Sequence, residues 1–192
     1  MATTPITWES LRATPWKNGG GVTREVAAFP PGSDTSSFTW RLSIADIDAG
    51  GPFSSFPGID RTLVLLAGNG MTLTQEDGVT YPLPKALDIA RFPGEAAISA
   101  QLSDGPTRDL NVMVRREHGS AEVRMLTAPA DVNITGTTLL LYCADGDVLV
   151  TIDGADAIRL PPGATLPIDA TVAQRCGIAG QGHVLFITIT LK

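Results

Sequence analysis

The chain has 192 residues, enough to bury one large or two small cores without help from metals or disulfides. Its composition is 43% hydrophobic and 18% charged, with 20 Gly and 14 Pro spread along the length, which describes a turn-rich globular protein and excludes a low-complexity one. The formal net charge is −6 and no run of Lys or Arg goes beyond Arg115-Arg116, so the footprint of a nucleic-acid or anionic-membrane binder is missing, and any anion site must be a pocket built from a few Arg and Lys.

The first residues, MATTPITWESLRATPW, lack the basic start and apolar core of a signal peptide, and apolar runs such as 63–67 and 138–144 are too short for a bilayer. The expectation is a cytoplasmic protein with no transmembrane segment. A weak helical turn is expected near 8–12. After it, β-branched or Leu-rich runs separated by Gly, Pro, Asn and Asp place strands at 22–29, 38–48, 61–67, 71–75, 87–92 and 109–115. Further strands are expected at 122–126, 138–144, 148–152, 171–176 and 183–191. Cys143 and Cys176 form no Cys-x-x-Cys pair, which fits reduced thiols, and Cys143 in its apolar run reads as buried rather than reactive.

An internal repeat sets the architecture. LVLLAGNGMTLTQEDG (63–78) aligns without a gap to LLLYCADGDVLVTIDG (139–154), an offset of 76, and both copies end on the Asp-Gly of a tight hairpin. With a one-residue adjustment, DLNVMV (109–114) pairs with VLFITI (184–189). Two β-rich copies read as an all-β bicupin: two jelly-roll barrels, an N-terminal lobe over 1–116 and a structural C-terminal lobe over 117–192, with exchange of strands between them left open. The copies differ in polarity. Arg61 stands where the second copy has Thr137, and Asp109, Asn111 and Met113 alternate where the second offers Val184, Phe186 and Thr188. Polar groups inside a small barrel cost several kcal/mol unless paired or wetted, so a ligand pocket in the first lobe is the natural reason to keep them.

The residues offer candidates for that pocket. In PWKNGGGVTREV (15–26), three glycines permit close backbone approach, Lys17 supplies a cation and Asn18 an amide; the spacing is not that of a phosphate loop, and a simple turn before a strand is the plainer reading. In the strand at 38–48, alternation puts Thr39, Arg41, Ser43 and Ala45 on one face, beside which Arg61 adds a second guanidinium. Arginine forks bind carboxylates bidentately; the competing reading is structural ion pairs with Glu25, Asp46, Asp60 or Asp109. The only histidines, His118 and His183, fall in different repeats, so a His-rich metal centre is excluded by count and no metal or other cofactor is expected. Ser54 and Ser55 lack a nucleophile elbow. Glu25, alternating with Thr23, is the best acid or base if the protein is an enzyme.

In PWKNGGGVTREVA, WRLSIADIDAGGPFSSFPGIDRTLVLLAG, the Phe92-Pro93-Gly94 turn and DLNVMVRR, the sequence resembles the HutD/Ves family of bacterial bicupins, specifically over 8–116 and more loosely beyond. The resemblance implies a two-lobe cupin fold without a recognised metal centre and, for members encoded with histidine-utilisation enzymes, a protein that binds a pathway intermediate and restrains flux. Carried over residue by residue, the family pattern marks Trp16, Lys17, Asn18, Gly19, Gly20, Thr23 and Glu25, then Trp40, Arg41, Ser43, Phe53, Ser54, Phe56, Pro57, Gly58 and Arg61, and finally Asp109, Asn111 and Met113. Of these, Trp40, Pro57 and Gly58 also fit as signatures of the fold.

The expected function is therefore binding of a small carboxylate between Arg41, Arg61 and the Lys17-Asn18 loop, with Phe53 and Phe56 as walls and no nucleic-acid or membrane partner. A homodimer is left open. The alternatives are a metal-independent isomerase-like enzyme with Glu25 or Asp109 as general base and Lys17 stabilising negative charge, and an interaction module that docks a partner on the Gly-Pro-Phe-Ser-Ser-Phe loop.

Overall fold

Alternating apolar and polar residues, interrupted by glycines at positive φ, yield strands and almost nothing else. The computed structural model describes residues 4–192; the first three residues, which the expected N-terminal lobe includes, lie outside the described residues. Two compact units result. One is Arg12–His118, and the other joins Gly119–Lys192 to the N-terminal stretch ending at Leu11. The division thus falls two residues after the expected one. It also moves residues 4–11 out of the expected first lobe, because Ile6 bridges Thr165 with N–H···O distances of 2.7 and 2.9 Å. A single 3-10 turn, Trp8–Ser10, stands where the helical turn was expected.

The first unit contains β1 (Ala13–Pro15), β2 (Gly21–Phe29), β3 (Trp40–Ile47), β4 (Gly51–Pro52), β5 (Ile59–Ala67), β6 (Met71–Gln75), β7 (Thr80–Leu83), β8 (Ile89–Pro93), β9 (Ile98–Leu102) and β10 (Thr107–Arg115). A six-stranded sheet runs β1-β2-β3-β10-β5-β8, and a four-stranded sheet runs β4-β9-β6-β7. Inward residues of both sheets, among them Leu63, Leu65, Met71, Leu73 and Ile98, share one buried cluster, as in a jelly roll. The Asp77-Gly78 turn joins β6 to β7, with Gly78 at φ +91°.

The second unit contains β11 (Gly119–Ile134), β12 (Thr138–Ile152), β13 (Ile158–Leu160), β14 (Thr165–Asp169) and β15 (Gln174–Leu191), in the order β11-β15-β12-β13 with β14 also on β12. Here the expected short strands fuse. Those at 138–144 and 148–152 form the single strand β12, and those at 171–176 and 183–191 meet in β15, which starts only at residue 174. A bulge between Cys143 and Asp145 lets the ladder continue, and glycine is required where the backbones close up: a Cβ on Gly146 would run into the carbonyl oxygen of Gln181. Cys143 and Cys176 are free and buried, and desolvation pushes both thiols up to about 11. Among the described residues no helix is long and apolar enough to cross a membrane.

The duplication is written in the strand registers. Leu65 faces Asp109 across β5 and β10, and Leu141, 76 residues later, faces Phe186 across β12 and β15. The structural counterparts of Asp109, Asn111 and Met113 are therefore Phe186, Thr188 and Thr190, and the sequence alignment of the two closing strands was two residues out. Both strands repeat with period two, so a two-residue slip scores almost as well and leaves every side chain on its expected face. Phe186 is fully buried with Leu139, Leu141, Cys143 and Val150, and so fills the position that Asp109 holds in the other unit. Phe186→Ala is expected to destabilise the protein by about 3–5 kcal/mol, measured by urea unfolding followed by tryptophan fluorescence and circular dichroism.

Candidate functional site

Strand β10 lies between β3 and β5, and its register assembles the site in rungs. Met113 is flanked by Arg41 on β3 and Arg61 on β5; Asn111 by Ser43 and Leu63; Asp109 by Ala45 and Leu65, with Thr23 of β2 beyond Ala45. Period-two alternation puts all of them on one face. Over that face lies a cavity of about 530 Å³, lined by these polar residues and Met113, by Pro15, Trp16, Lys17 and Asn18 from the link between β1 and β2, and by Pro52, Phe53, Ser54 and Phe56.

The glycine-rich motif acts as a mount for Trp16. Its indole N–H donates to Thr23 Oγ1 at 2.7 Å, its amide to the Gly21 carbonyl at 2.9 Å, and its carbonyl accepts from Gly19 at 3.0 Å. Gly19 takes φ +71°, and a Cβ at Gly21 would sit 2.5 Å from the Asp46 carbonyl oxygen and 3.3 Å from the indole. Lys17 and Asn18 are left exposed at the rim. The aromatic wall is stitched in place as well: Phe53 N–H donates to the Ile98 carbonyl at 2.8 Å and Phe56 N–H to the Gly94 carbonyl at 2.7 Å. A Cβ on Gly94 would lie 2.5 Å from the Phe56 carbonyl oxygen, which is why the Phe92-Pro93-Gly94 turn ends in glycine.

Arg61 is only 7% exposed. Its guanidinium lies 5.1 to 5.5 Å from the ring centres of Phe92, Phe53 and Phe56, and Nη1 donates to the Ser54 carbonyl at 3.3 Å. Its Nε–H is buried without an acceptor, and among the described residues no carboxylate forms an ion pair with it. Burial pulls its pKa down to about 10, with Arg41 adding and Asp109 opposing, so the group stays charged at neutral pH. Arg41 is handled differently: Nε donates to Glu25 Oε2 at 2.8 Å and Nη1 to Ser43 Oγ at 3.2 Å. Glu25, expected to bind ligand, does not line the cavity. Its carboxylate is drawn to Arg41 and its side chain is 44% exposed, so it positions the guanidinium from outside.

Asp109 is 2% exposed, and among the described residues burial and neighbouring charges, not a hydrogen bond, act on its carboxyl. Burial raises its pKa to about 7, with Arg61 opposing and Asp46 adding; Asp46 itself is held by Arg24 at 2.7 Å and Arg108 at 2.6 Å. Met113 packs with Phe38, Ile59 and Phe56 beneath the arginines. Every other residue expected to bind the ligand lines the cavity, whereas Gly19 and Gly20, which the resemblance also marks, do not. Ala45 carried a signal, since it alternates with Arg41 and Ser43, whereas Pro15 and Pro52 have no chemistry that could have marked them. Among the described residues no three His, Cys, Asp or Glu side chains group as metal ligands; His118 lies 3.6 Å from Glu117, and His183 Nδ1 lies 2.9 Å from Asp145.

A buried carboxyl with a raised pKa costs stability only when ionised. As pH climbs from about 4, the unfolded chain loses this proton first, stability falls, and above about 7 the penalty is constant. Asp109→Asn is expected to raise stability by an amount on the order of 3 kcal/mol at pH 8 and by almost nothing at pH 4, read from denaturant unfolding at the two pH values.

Comparison with known proteins gives a consistent picture. The sequence model of the HutD family matches residues 8–186. An uncharacterised 21.2 kDa protein in the hutC 3′ region of Pseudomonas putida is 36% identical over 146 residues, covering 76% of each chain. Protein Ves of Citrobacter koseri is 37% identical over 141 residues, covering 73% of this chain and 68% of that one. Among solved structures, HutD of Pseudomonas fluorescens SBW25, determined in a formate condition, superposes with a TM-score of 0.87 at 29% identity over the whole of both chains. A cupin 2 conserved barrel protein of Leptotrichia buccalis shares the fold, with a TM-score of 0.60 at 11% identity over 100% of this chain and 98% of that one.

Proposed function

The chain belongs to the HutD family, and from the chemistry of its cavity we propose that it is a cytoplasmic binding protein for a small carboxylate-bearing metabolite. One observation carries the reading: Arg61 is a charged, buried guanidinium with no carboxylate partner among the described residues, set in the wall of a cavity of about 530 Å³. A ligand carboxylate would supply the missing counter-charge in a low-dielectric site, where a charge-assisted hydrogen bond is strongest. Arg41 would join it from the same rung, steadied by Glu25 and Ser43. Lys17 and Asn18 at the rim would steer and cap the anion, and Phe53 and Phe56 would exclude water. On this reading the ligand is a histidine-utilisation intermediate such as urocanate or formylglutamate, whose capture would restrain flux; a relative in Pseudomonas putida is encoded in the hutC 3′ region.

A second reading, a metal-independent isomerase, is favoured by Asp109 alone, a buried carboxyl facing the cavity with a pKa near neutrality. Glu25 is engaged by Arg41 and does not line the cavity, which leaves Asp109 as the base of this second reading.

Thermal-shift and calorimetric titration with formate, urocanate, formylglutamate and glutamate should find at least one carboxylate that raises the melting temperature. Arg61→Met should weaken its binding by about 10- to 100-fold while leaving the fold intact. Unchanged ligand after long incubation supports the binding protein; conversion of the ligand supports the enzyme.

A further inference from the structure

The cavity is polarised along its length. The face of β10 that lines it reads Met113, Asn111, Asp109, and the two arginines stand on the Met113 rung. Four residues along the strand, about 13 Å by strand geometry, is the Asp109 rung, whose strand neighbours Ala45 and Leu65 bring no cation. Ser43 and Asn111, neutral and polar, lie between. The charged groups acting on Asp109 are Arg61, within Coulombic reach but beyond ion-pair distance, and Asp46, whose own carboxylate is taken up by Arg24 and Arg108. Arg41 is engaged by Glu25, and Lys17 is exposed at the rim.

This arrangement puts a second constraint on the ligand. A plain carboxylate seated at Arg61 brings one more negative charge into the cavity that holds Asp109, and it gives the Asp109 oxygens nothing to accept. A ligand that also carries a donor meets both demands, because the Asp109 carboxylate, which opens into the cavity, loses hydration when the cavity fills and is stabilised only if the ligand replaces it. Resting on the carboxylate reading above, we infer that the cavity selects a bifunctional ligand, a carboxylate with an N–H or O–H donor several bonds away, and that Asp109 is the residue that selects for the donor. The ligand would lie along β10, carboxylate toward Arg61 and donor toward Asp109. Asp109 is then a specificity residue, and its ionised form is the one that binds.

The test is isothermal titration of the full chain at pH 8.5 with three carboxylates of matched length: 4-aminobutyrate, 4-hydroxybutyrate and pentanoate, ending in ammonium, hydroxyl and methyl. Homologues one carbon shorter and longer cover the span. The expected result is binding of the donor-ended members about tenfold or more tighter than the methyl-ended one. In Asp109→Asn, which removes the charge without a change of shape, the preference for ammonium should contract to within about threefold, while pentanoate binds at least as tightly as to the parent protein. Equal binding of all three end groups, with affinity still lost in Arg61→Met, would overturn the inference and leave the carboxylate reading standing. So would pentanoate binding with uptake of one proton, seen as buffer-dependent heats, because Asp109 would then donate rather than accept. If no carboxylate binds, both readings fall together.

Discussion

A guanidinium held out of water, with no carboxylate partner among the described residues, is the constraint around which the first unit is organised. Burying Arg61 is unfavourable unless its surroundings replace hydration, and three aromatic rings at about 5 Å together with the Ser54 carbonyl do so only in part. Each of these partners is itself fixed by backbone. Phe92 faces Arg61 across β5 and β8, and Phe53 and Phe56 hang from a segment tied to Ile98 and Gly94. The glycines that permit such close approach, Gly94 under Phe56 and Gly21 under Trp16, are parts of the same support.

The second unit shows what the same repeat looks like without that constraint. At the equivalents of Arg61, Asp109 and Asn111 it has Thr137, Phe186 and Thr188; Phe186 is fully buried in a closed apolar core, and Thr137 turns its hydroxyl to the Ile189 carbonyl at 3.0 Å. Filling the barrel is the cheaper solution by elementary packing arguments, since an apolar side chain in place of a buried carboxyl both gains contacts and avoids desolvation. A cavity that retains Arg61 and Asp109 forgoes that gain, and membership of the HutD family places this hollow copy in a lineage of bicupin folds.

Much of this is legible in the sequence. Period-two alternation located the strands that build the site, and polar residues on an otherwise apolar face, Arg41, Ser43, Arg61, Asp109 and Asn111, identified the lobe and the wall. The rest was hidden for physical reasons. Alternation puts Glu25 on the right face but cannot show that its carboxylate is captured by Arg41 at the sheet margin. Two-residue β4 and the Pro-containing β7 are too short or too irregular to carry a periodic signal, and glycines read as turns at 146, 180 and 182 instead let two long strands run on through close backbone contact. The slip between the closing strands of the repeats is the ambiguity that period two creates. The bridge of Ile6 with Thr165, which ties residues 4–11 to the second unit, is announced by no local pattern.

Whether Arg61 receives a ligand carboxylate in the first unit is read by nuclear magnetic resonance of the arginine Nε–H groups. The protein would be uniformly labelled with nitrogen-15, the Arg61 signal assigned from Arg61→Lys, and formylglutamate titrated in. A saturable movement of the Arg61 resonance is expected, accompanied by Arg41, while Arg159 and Arg175, each paired with an exposed aspartate in the second unit, stay in place. An Arg61 resonance that never moves while the ligand binds elsewhere would contradict a carboxylate site at Arg61.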